Sequence, residues 1–552
     1  MAFAELLEYV GSSGRFQISQ VISLVLAVIC VTPHNLLDNF TAAIPDHRCR
    51  LPFLDNATAF PNITRGLGPN ALLRVFIPLD KHQKLERCRR YLHPQWQLLE
   101  LNASVPNASE ADTEPCLNGW IYDHSEFTST IVSEWDMVCD WEFLKPMAQS
   151  IFMVGIVIGA AVCGPVSDRF GRKLVLSYCY LQLAITGSCS AFVPNFSLYC
   201  CLRFLSAFAV AGIMMNTAIL MMEWTKTQAG ATMMTISSLG FSFGQPFLAG
   251  VAYATRDWFI LQLTLSIPFF LFFLHSWWLA ESARWLIITG KIDRGLHTLK
   301  KVAEMNGKKE ARDTLTIETV TSTMREELMV TKTQHSMVDL FRTPELCKRF
   351  CCILSVWFAF GFTFYGVALD LQSLGANIFL LQVLFGVIDI PNKMGAFFAM
   401  NHLGRRVTQA GSLILAGLCI LANTMIPQEL QILRVVLAVL GIGFVGSAFS
   451  TLAVYSTELF PTVVRMTAIG GSQMTARVGS ILGPLVRLLG QFHPLLPMLI
   501  YGGVSMISGF LALLLPETLN LPLPDTIQDV KSRGHRMKSA EQAENTVKLT
   551  RL

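Results

Sequence analysis

Charged residues are scarce in this sequence, and their scarcity indicates the class of protein. Only 15% of the 552 residues are Asp, Glu, Lys or Arg, whereas soluble proteins contain about 25%. Hydrophobic residues make up 52% of the chain, and the mean hydropathy is +0.46. The net charge of +4 is small, and nothing in the composition indicates nucleic acid as a partner. We predict a polytopic membrane protein surrounded by lipid bilayer.

The motifs that carry enzyme chemistry are also missing. The sequence contains no G-x-x-x-x-G-K-[ST] phosphate loop, no H-E-x-x-H zinc motif and no Cys/His spacing typical of a metal site. Gly441-Ile-Gly-Phe-Val-Gly446 matches G-x-G-x-x-G, but it lies inside an apolar stretch with no preceding strand, which indicates helix packing. We therefore expect no catalytic residue, no metal and no cofactor. ATP-driven transport is disfavoured, and a carrier driven by solute gradients remains.

Long apolar stretches are what the chain has instead. A helix needs about 20 such residues to cross roughly 30 Å of hydrocarbon. The candidate spans are 16–37, 146–166, 174–193, 198–222, 232–254, 259–278, 350–371, 378–399, 408–426, 430–453, 466–489 and 495–515. We predict an all-α membrane protein with twelve transmembrane helices in two pseudo-symmetric six-helix halves. Its parts are an N-terminal half 1–279 that includes an extracellular loop 38–145, a cytoplasmic linker 280–349, a C-terminal half 350–515 and a cytoplasmic tail 516–552.

A basic turn recurs in the second half of the chain. Gly171-Arg172-Lys173 is repeated as Gly404-Arg405-Arg406, 233 positions later. Two acidic positions repeat at nearly the same distance: Glu223 and Glu458 are 235 positions apart, and Glu281 and Glu517 are 236 apart. These offsets predict that one six-helix bundle was duplicated.

The charged residues near these turns are predicted to form a gating or structural network. Arginines at cytoplasmic helix ends can pair with acids on neighbouring helices. The alternative is that the positive charges only anchor the chain at the membrane surface. The predicted network consists of Asp168, Arg169, Arg172, Glu223, Glu281 and Glu458.

The polar insertion 38–145 has the composition of an extracellular loop. N-glycosylation patterns begin at Asn39, Asn56, Asn62, Asn102 and Asn107. Asn39 is close to the bilayer, so we predict glycans on the other four. The cysteines of the loop are Cys49, Cys88, Cys116 and Cys139, which fit two disulfides with three possible pairings. This topology places both termini in the cytoplasm, with a plasma-membrane location.

The C-terminal residues suggest a protein partner. Thr550-Arg551-Leu552 fits the S/T-x-apolar terminus that PDZ domains bind by strand addition. We predict a cytoplasmic PDZ-domain scaffold as a partner.

Ionisable residues inside the predicted spans are candidates for function, because their burial in a membrane is costly. Arg477 is predicted near mid-membrane, where its guanidinium suits a carboxylate or a planar acidic heterocycle. The alternative for Arg477 is a structural ion pair. Asp389 and Lys393 are spaced i, i+4, so they are expected either to neutralise one another or to act on substrate or protons. Arg203 and Arg487 lie nearer helix ends and are expected to snorkel or to bind lipid.

Aromatic residues crowd one predicted helix. They are Trp357, Phe358, Phe360, Phe362, Phe364 and Tyr365, while Phe241 and Phe449 lie on two other helices. Most membrane phenylalanines pack or touch lipid, but Phe360 and Phe364 share a helix face. Aromatic walls together with one cation are what a flat organic anion needs for stacking and charge pairing.

Three motifs carry a resemblance to a known family. They are Asp168-Arg-Phe-Gly-Arg-Lys173, Glu281-Ser-Ala-Arg-Trp-Leu286 and Glu458-Leu-Phe-Pro-Thr462. With the twelve-helix repeat, they make the chain resemble the organic ion transporter branch of the major facilitator superfamily over essentially its whole length. Residues 215–217, 357–364 and 521–529 look most like the urate and anion exchangers of the apical kidney membrane.

This resemblance implies alternating access about a central site. The implied site consists of Met214, Phe241, Phe360, Phe364, Phe449, Gln473 and Arg477, with Lys393 nearby. The organic cation carriers of the family have an acid where this chain has Arg477, which favours anions. Asn35, Gln245 and Tyr365 belong to the implied cavity wall, where urate exchangers of some species have Ser, His and Phe.

The leading hypothesis is a secondary active exchanger that takes up urate in return for intracellular lactate, nicotinate or chloride, and that works as a monomer in an apical epithelial membrane. One alternative is a broader carrier of sulfated steroids and other amphipathic anions. A second is a membrane receptor or scaffold that does not transport. A cation or carnitine carrier is the least favoured reading.

Overall fold

Twelve hydrophobic helical regions are found among the residues that the structure describes, and they form its framework. The structure, a computed structural model, describes residues 2–55, 69–80, 83–99, 112–226, 229–330, 341, 343–427 and 429–519. We number these regions α1 Arg15–Leu36, α2 Leu144–Phe170, α3 Arg172–Cys189, α4 Phe196–Glu223, α5 Gly230–Thr255, α6 (the consecutive segments Trp258–Ser266 and Pro268–His275), α7 Pro344–Ala368, α8 Ile378–His402, α9 Arg405–Met425, α10 Gln431–Leu459, α11 Thr462–Leu485 and α12 Leu496–Ala512. Each of them falls on one of the predicted apolar stretches. Below, α1 to α6 are called the first bundle and α7 to α12 the second bundle.

Local sequence signals explain where several helices begin and end. The side chains of Asn195 and Asn377 accept hydrogen bonds from the first backbone N–H groups of α4 and α8. Pro268 starts the second segment of α6, where its missing N–H costs nothing. Among the described residues, eight regions are long and apolar enough to cross a bilayer, namely α1, α2, α4 and α6 to α10.

Shorter helices surround the first bundle at its linker side. Their bounds are Ala2–Val10, Ala283–Ile288, Ile292–Met305, Lys309–Thr314 and Ile317–Val330. Leu7, Val302 and Val320 are fully buried and belong to the same apolar core as residues of α1, α3 and α4. The amide of Asn306 also donates to the carbonyl of Gly11 (2.9 Å). The N-terminal helix and the linker are therefore packed onto the first bundle.

The insertion between α1 and α2 forms a compact unit with residues 254–261. Two antiparallel strand pairs organise it: β1 His47–Cys49 with β4 Trp120–Tyr122, and β2 Arg89–Tyr91 with β3 Thr113–Pro115. Its short helices are Asp38–Thr41, Pro52–Asp55, Pro69–Phe76 and Ile131–Glu134, and 3-10 turns cover Trp96–Leu99 and Cys139–Trp141. Disulfides join Cys49 to Cys116 and Cys88 to Cys139, which selects one of the three possible pairings.

Several predicted modification and partner sites cannot be placed. The glycosylation positions Asn56, Asn62, Asn102 and Asn107 lie outside the described residues, and so do Thr550 and Leu552 of the tail. The fifth sequon is different, because Asn39 is buried and its amide donates to the carbonyl of Ala368 (2.8 Å).

The two repeated glycines form matching turns before α3 and α9. Gly171 has φ +110° and Gly404 has φ +96°, a backbone conformation that other residues rarely adopt. A carboxylate sits against each turn. Glu281 accepts from the backbone N–H groups of Arg172 and Lys173, and Glu517 accepts from those of Arg405 and Arg406. Each acid thereby satisfies free donors at a helix N-terminus.

We expect Gly171→Ala and Gly404→Ala to lower the melting temperature of the purified protein. The substitution forces a side chain into a left-handed backbone conformation, which costs about 1 to 3 kcal/mol, and its Cβ would collide with the adjacent glutamate. Thermal unfolding followed by fluorescence-detected gel filtration measures the effect. Gly411→Ala in α9 is the matched control, because a Cβ there meets no atom within 4 Å. Equal melting temperatures for all three variants would contradict the role of the turns.

Candidate functional site

A row of aromatic rings crosses from the first bundle to the second. Phe241 of α5 lies 6.2 Å from Phe364 of α7, measured between ring centroids. Phe364 stacks on Phe360 at 5.8 Å, and Phe360 stacks on Phe449 of α10 at 4.9 Å. Trp357 closes the row with edge contacts to Phe360 (6.2 Å) and Phe449 (5.9 Å). The i, i+4 spacing of Phe360 and Phe364 places both rings on one helix face, as the sequence predicted. We call these five residues the aromatic row.

Close packing of α7 on α11 brings Arg477 to the level of Phe360 in this row. Gly361 and Gly479 leave no space for a Cβ, since Gly361 meets the backbone of Ala476 and Gly479 meets the backbone of α7. Small residues permit this approach of two helix backbones. Arg477 follows Ala476 in the chain and Phe360 precedes Gly361, so both lie at the same level of the contact.

Arg477 differs from the other charged residues inside the bundles. It is half-buried, and within the described part of the chain no ion pair or hydrogen bond of its side chain is found. Gln473 lies one turn earlier on the same helix face and is exposed. A guanidinium without a counter-charge in a low-dielectric site attracts an anion.

Asp389 and Lys393 of α8 form a buried ion pair that also contacts α5. Their Nζ and Oδ2 atoms are 2.7 Å apart, and each side chain is less than 10% exposed. Lys393 Nζ also donates to the hydroxyl of Ser242 (2.9 Å) and the carbonyl of Ser238 (3.0 Å). The three donors of the ammonium group are thereby satisfied. Lys393 Nζ is 5.9 Å from the ring centroid of Phe241, so this pair adjoins the aromatic row.

The remaining predicted site residues occupy different surroundings. The buried Gln245 of α5 accepts from the amide of Gln382 in α8 (3.2 Å). Tyr365 is buried with its ring edge-on to Phe364 at 5.2 Å. Asn35 is buried in α1, whereas Met214 is half-buried against the apolar core of the first bundle.

The two bundles also meet at the end where α1 and α7 finish and α2 begins. Gln149 of α2 donates to the carbonyl of Leu369 (3.2 Å) and accepts from Arg487 (3.4 Å). Arg487 also lies 3.5 Å from Asp370 and donates to the carbonyl of Gly366 (3.1 Å). No sequence pattern indicated these contacts, because they join helices that are distant in the chain.

The expectation that Arg203 snorkels is wrong. This arginine is only 2% exposed. Its Nη2 atom donates to Asp38 (2.9 Å) and to the carbonyl of His34 (3.3 Å), and its guanidinium lies 4.3 Å from the ring centroid of Phe152. A carboxylate close in space makes burial less costly than reaching the interface.

The predicted charged network has two matching parts, one in each bundle. Arg172 contacts Asp168 (2.7 Å) and Glu223 (3.5 Å), while Arg405 contacts Glu458 (3.1 Å). The guanidinium of each arginine also donates at 3.1 Å to the carbonyl five residues earlier. Arg169 is exposed, with its guanidinium 5.5 Å from the ring centroid of Phe170.

Arg405 and Glu517 were not among the predicted network residues. The hydroxyl of Thr518 donates to Glu458 (2.7 Å). Thr518 directly follows Glu517 in the chain, so Glu517 belongs with Arg405 and Glu458 to the part of the network in the second bundle. The offsets of 233 and 236 positions from Arg172 and Glu281 were the signal that could have found them.

Comparison with known proteins supports a transporter. The model of the sugar (and other) transporter family matches residues 127–528. Human solute carrier family 22 member 12 is 58% identical over 534 residues, which cover 97% of each chain. The steroid transmembrane transporter SLC22A24 of Microcebus murinus is 48% identical over 550 residues, which cover 100% of each chain.

A solved structure shows the fold. The xylose transporter XylE from E. coli, in a partially occluded inward-open conformation, matches with a TM-score of 0.59 at 14% identity, over 91% of this chain and 98% of that chain. At this identity the likeness concerns the fold. It confirms the predicted all-α major facilitator architecture.

We expect Asp389→Asn and Lys393→Met to destabilise the protein strongly as single variants and much less in combination. Each single variant leaves one buried charge without its partner, which costs about 3 to 5 kcal/mol, whereas the double variant removes both charges. Melting temperatures of the four proteins give the coupling.

The exposed pair Glu8 and Lys226, whose side chains are 61% and 39% exposed, supplies a control for this experiment. Its cycle with Glu8→Gln and Lys226→Met should give a much smaller coupling than the buried pair, because water screens an exposed ion pair. If the losses of stability in Asp389→Asn and Lys393→Met are additive in the double variant, the ion pair contributes nothing to stability.

Proposed function

This chain belongs to the sugar (and other) transporter family and, within it, to solute carrier family 22, and from that membership we propose that it exchanges organic anions, with urate as a main substrate. It is a multi-pass membrane transporter. In the proposed reaction, urate enters while lactate, nicotinate or chloride leaves, so the gradient of the outgoing anion drives uptake. The observation that carries this proposal is the half-buried Arg477 at the level of Phe360 in the aromatic row.

Arg477 provides the charge selectivity in this proposal. Its planar guanidinium can donate two parallel hydrogen bonds to adjacent oxygen atoms of a planar anion. The neighbouring ion pair does not supply a competing free charge, because Lys393 and Asp389 neutralise one another (2.7 Å). An anion is therefore the species whose entry lowers the electrostatic energy of the site.

The aromatic row provides the shape selectivity. Ring faces attract flat conjugated molecules, and aromatic pairs contribute about 0.5 to 1.5 kcal/mol beyond the area they bury. Phe360 is only half-buried although it stacks on both Phe364 and Phe449. Part of its surface is thus accessible to a ligand that Arg477 orients.

Exchange requires the two bundles to move relative to each other around this site. The Arg172 and Arg405 clusters each connect helices of a single bundle, so they stiffen the bundles without joining them. Contacts between the bundles occur instead at Gln149 and Arg487, and between α5 and α8. We infer that these contacts break and re-form during transport, and that an anion on Arg477 lowers the cost of the movement.

The location and partners form a further part of the proposal. The two disulfides fit an extracellular loop, which would put both termini in the cytoplasm of a plasma membrane, apical in epithelium. Glycans on the loop, a PDZ scaffold on the tail and function as a monomer complete this arrangement.

A broader specificity for sulfated steroids is the second candidate. The relative named a steroid transmembrane transporter covers the full chain at 48% identity, and the aromatic row also suits a steroid skeleton. Estrone sulfate transported faster than urate would favour this candidate. Membership of a transporter family disfavours the alternative of a receptor that does not transport.

We expect preloading of cells with lactate or nicotinate to stimulate uptake of labelled urate.

Arg477→Ala should weaken urate binding at least about thirtyfold, because removing one partner of a desolvated charge pair costs 2 kcal/mol or more. Arg477→Lys should retain part of the affinity, since it keeps the charge and loses the planar fork.

The matched control is Arg434→Ala, a residue about 22 Å along α10 from Phe449 at 1.5 Å per residue. Its guanidinium bonds to Asn423 (3.2 Å), and its removal should leave urate uptake unchanged. A rate of urate uptake that is unchanged by preloading and unchanged by Arg477→Ala would refute exchange through this site.

We expect Phe360→Ala to weaken urate affinity about three- to tenfold, from the lost stacking. Phe358→Ala is the matched control, because Phe358 lies on the same helix, is equally half-buried and stacks on Phe362 instead (5.5 Å). Inhibition constants for urate against a labelled anion measure both. A larger effect at Phe358 would show that the aromatic row does not bind the substrate.

A further inference from the structure

A cavity lined by residues of the first bundle and the linker lies at the linker side of that bundle, and Arg477 is not part of its lining. Its volume is about 800 Å³. Its lining includes the aromatic residues Phe170, Trp277 and Trp278 and the basic residues Arg294 and Lys301 of the linker helix Ile292–Met305. None of these residues belongs to the proposed anion pathway.

The linker helix presents a basic face to this cavity. Arg294, Thr298 and Lys301 recur at spacings of three and four residues, which places them on one side of the helix, and all three line the cavity. The opposite side, with Leu299 and Ala303, is fully buried in the core. Burial of the apolar side therefore fixes the direction in which the basic side points.

The charges around the cavity do not balance. Lys173, Lys291, Arg294 and Lys301 line it, against the acids Glu281 and Asp293. Glu281 is already engaged by the backbone N–H groups at the start of α3. Lys173 donates to the carbonyl of Trp277 (2.9 Å). The four basic residues outnumber the two acids, so an anion in the cavity would offset the excess of positive charge.

The two tryptophans beside the cavity indicate which class of anion it would bind. Trp277 is 66% exposed and Trp278 is 77% exposed, and both directly follow the apolar α6. Tryptophan is enriched where a membrane helix meets the lipid headgroups. Exposed indoles beside a basic cavity therefore point to a ligand with an apolar tail in the bilayer and a charged head at its surface.

We propose that this cavity binds the phosphorylated headgroup of an anionic phospholipid from the cytoplasmic leaflet. Lys291, Arg294 and Lys301 would donate to the phosphate oxygens, and the acyl chains would pass Phe170 and Trp277 into the bilayer. The proposal rests on the cytoplasmic orientation of the linker. It does not depend on which anion the central site transports.

The test uses the full-length protein, delipidated in detergent and titrated with phosphatidylinositol 4-phosphate or phosphatidylcholine, with bound lipid measured by native mass spectrometry. We expect one phosphoinositide to be retained and phosphatidylcholine to be lost. The double variant R294Q/K301Q should bind the phosphoinositide about thirtyfold more weakly, since each basic residue near a membrane surface contributes about fivefold in affinity.

The matched control is K300Q/K309Q, which removes the same charge from linker residues that do not line the cavity. It should bind the lipid as the parent protein does, and a melting temperature for each variant confirms folding. Equal lipid retention by both double variants would overturn the proposal. If a soluble inositol phosphate displaces the lipid with an affinity equal to that of the lipid itself, the site binds a free phosphate compound. That result would overturn the lipid assignment.

Discussion

A charge buried inside a membrane bundle needs a partner of opposite charge, and this requirement organises the interior of the protein. Arg203 pairs with Asp38, Lys393 with Asp389, and Arg487 faces Asp370. Each pair lowers the cost of removing its ions from water. Against this background, the unpaired side chain of Arg477 in the described structure becomes informative. A site that offers positive charge is available only where the protein has not already neutralised it.

The same requirement divides the structure into rigid and movable parts. Arg172 and Arg405 each connect helices within their own bundle, and two further acids, Glu281 and Glu517, hold the turns at Gly171 and Gly404. In the described part of the chain, polar contacts between the bundles include single hydrogen bonds and a four-residue cluster of Ser238, Ser242, Asp389 and Lys393. Such contacts can exchange partners during a rocking motion, whereas the intra-bundle clusters keep each bundle intact. This division matches what an exchanger requires of its two halves.

Duplication explains the framework better than it explains the site. The turns, their carboxylates and their arginines recur with matched geometry at the same end of both bundles. The aromatic row is different, because four of its five rings belong to α7 and α10 of the second bundle. The proposed site for a flat anion would therefore be formed mainly by one bundle, and the first bundle completes the row through Phe241.

The sequence by itself determined the features that depend on neighbours in the chain. Hydropathy placed the helices, the offsets revealed the repeat, and i, i+4 spacing paired Asp389 with Lys393 and aligned Phe360 with Phe364. Tertiary structure decided the rest: the pairing of Cys49 with Cys116, the burial of Arg203 against Asp38, and the place of Ser242 beside Lys393. The physical reason is that helix periodicity fixes which side chains share a face, whereas the partner that this face meets depends on how distant helices pack.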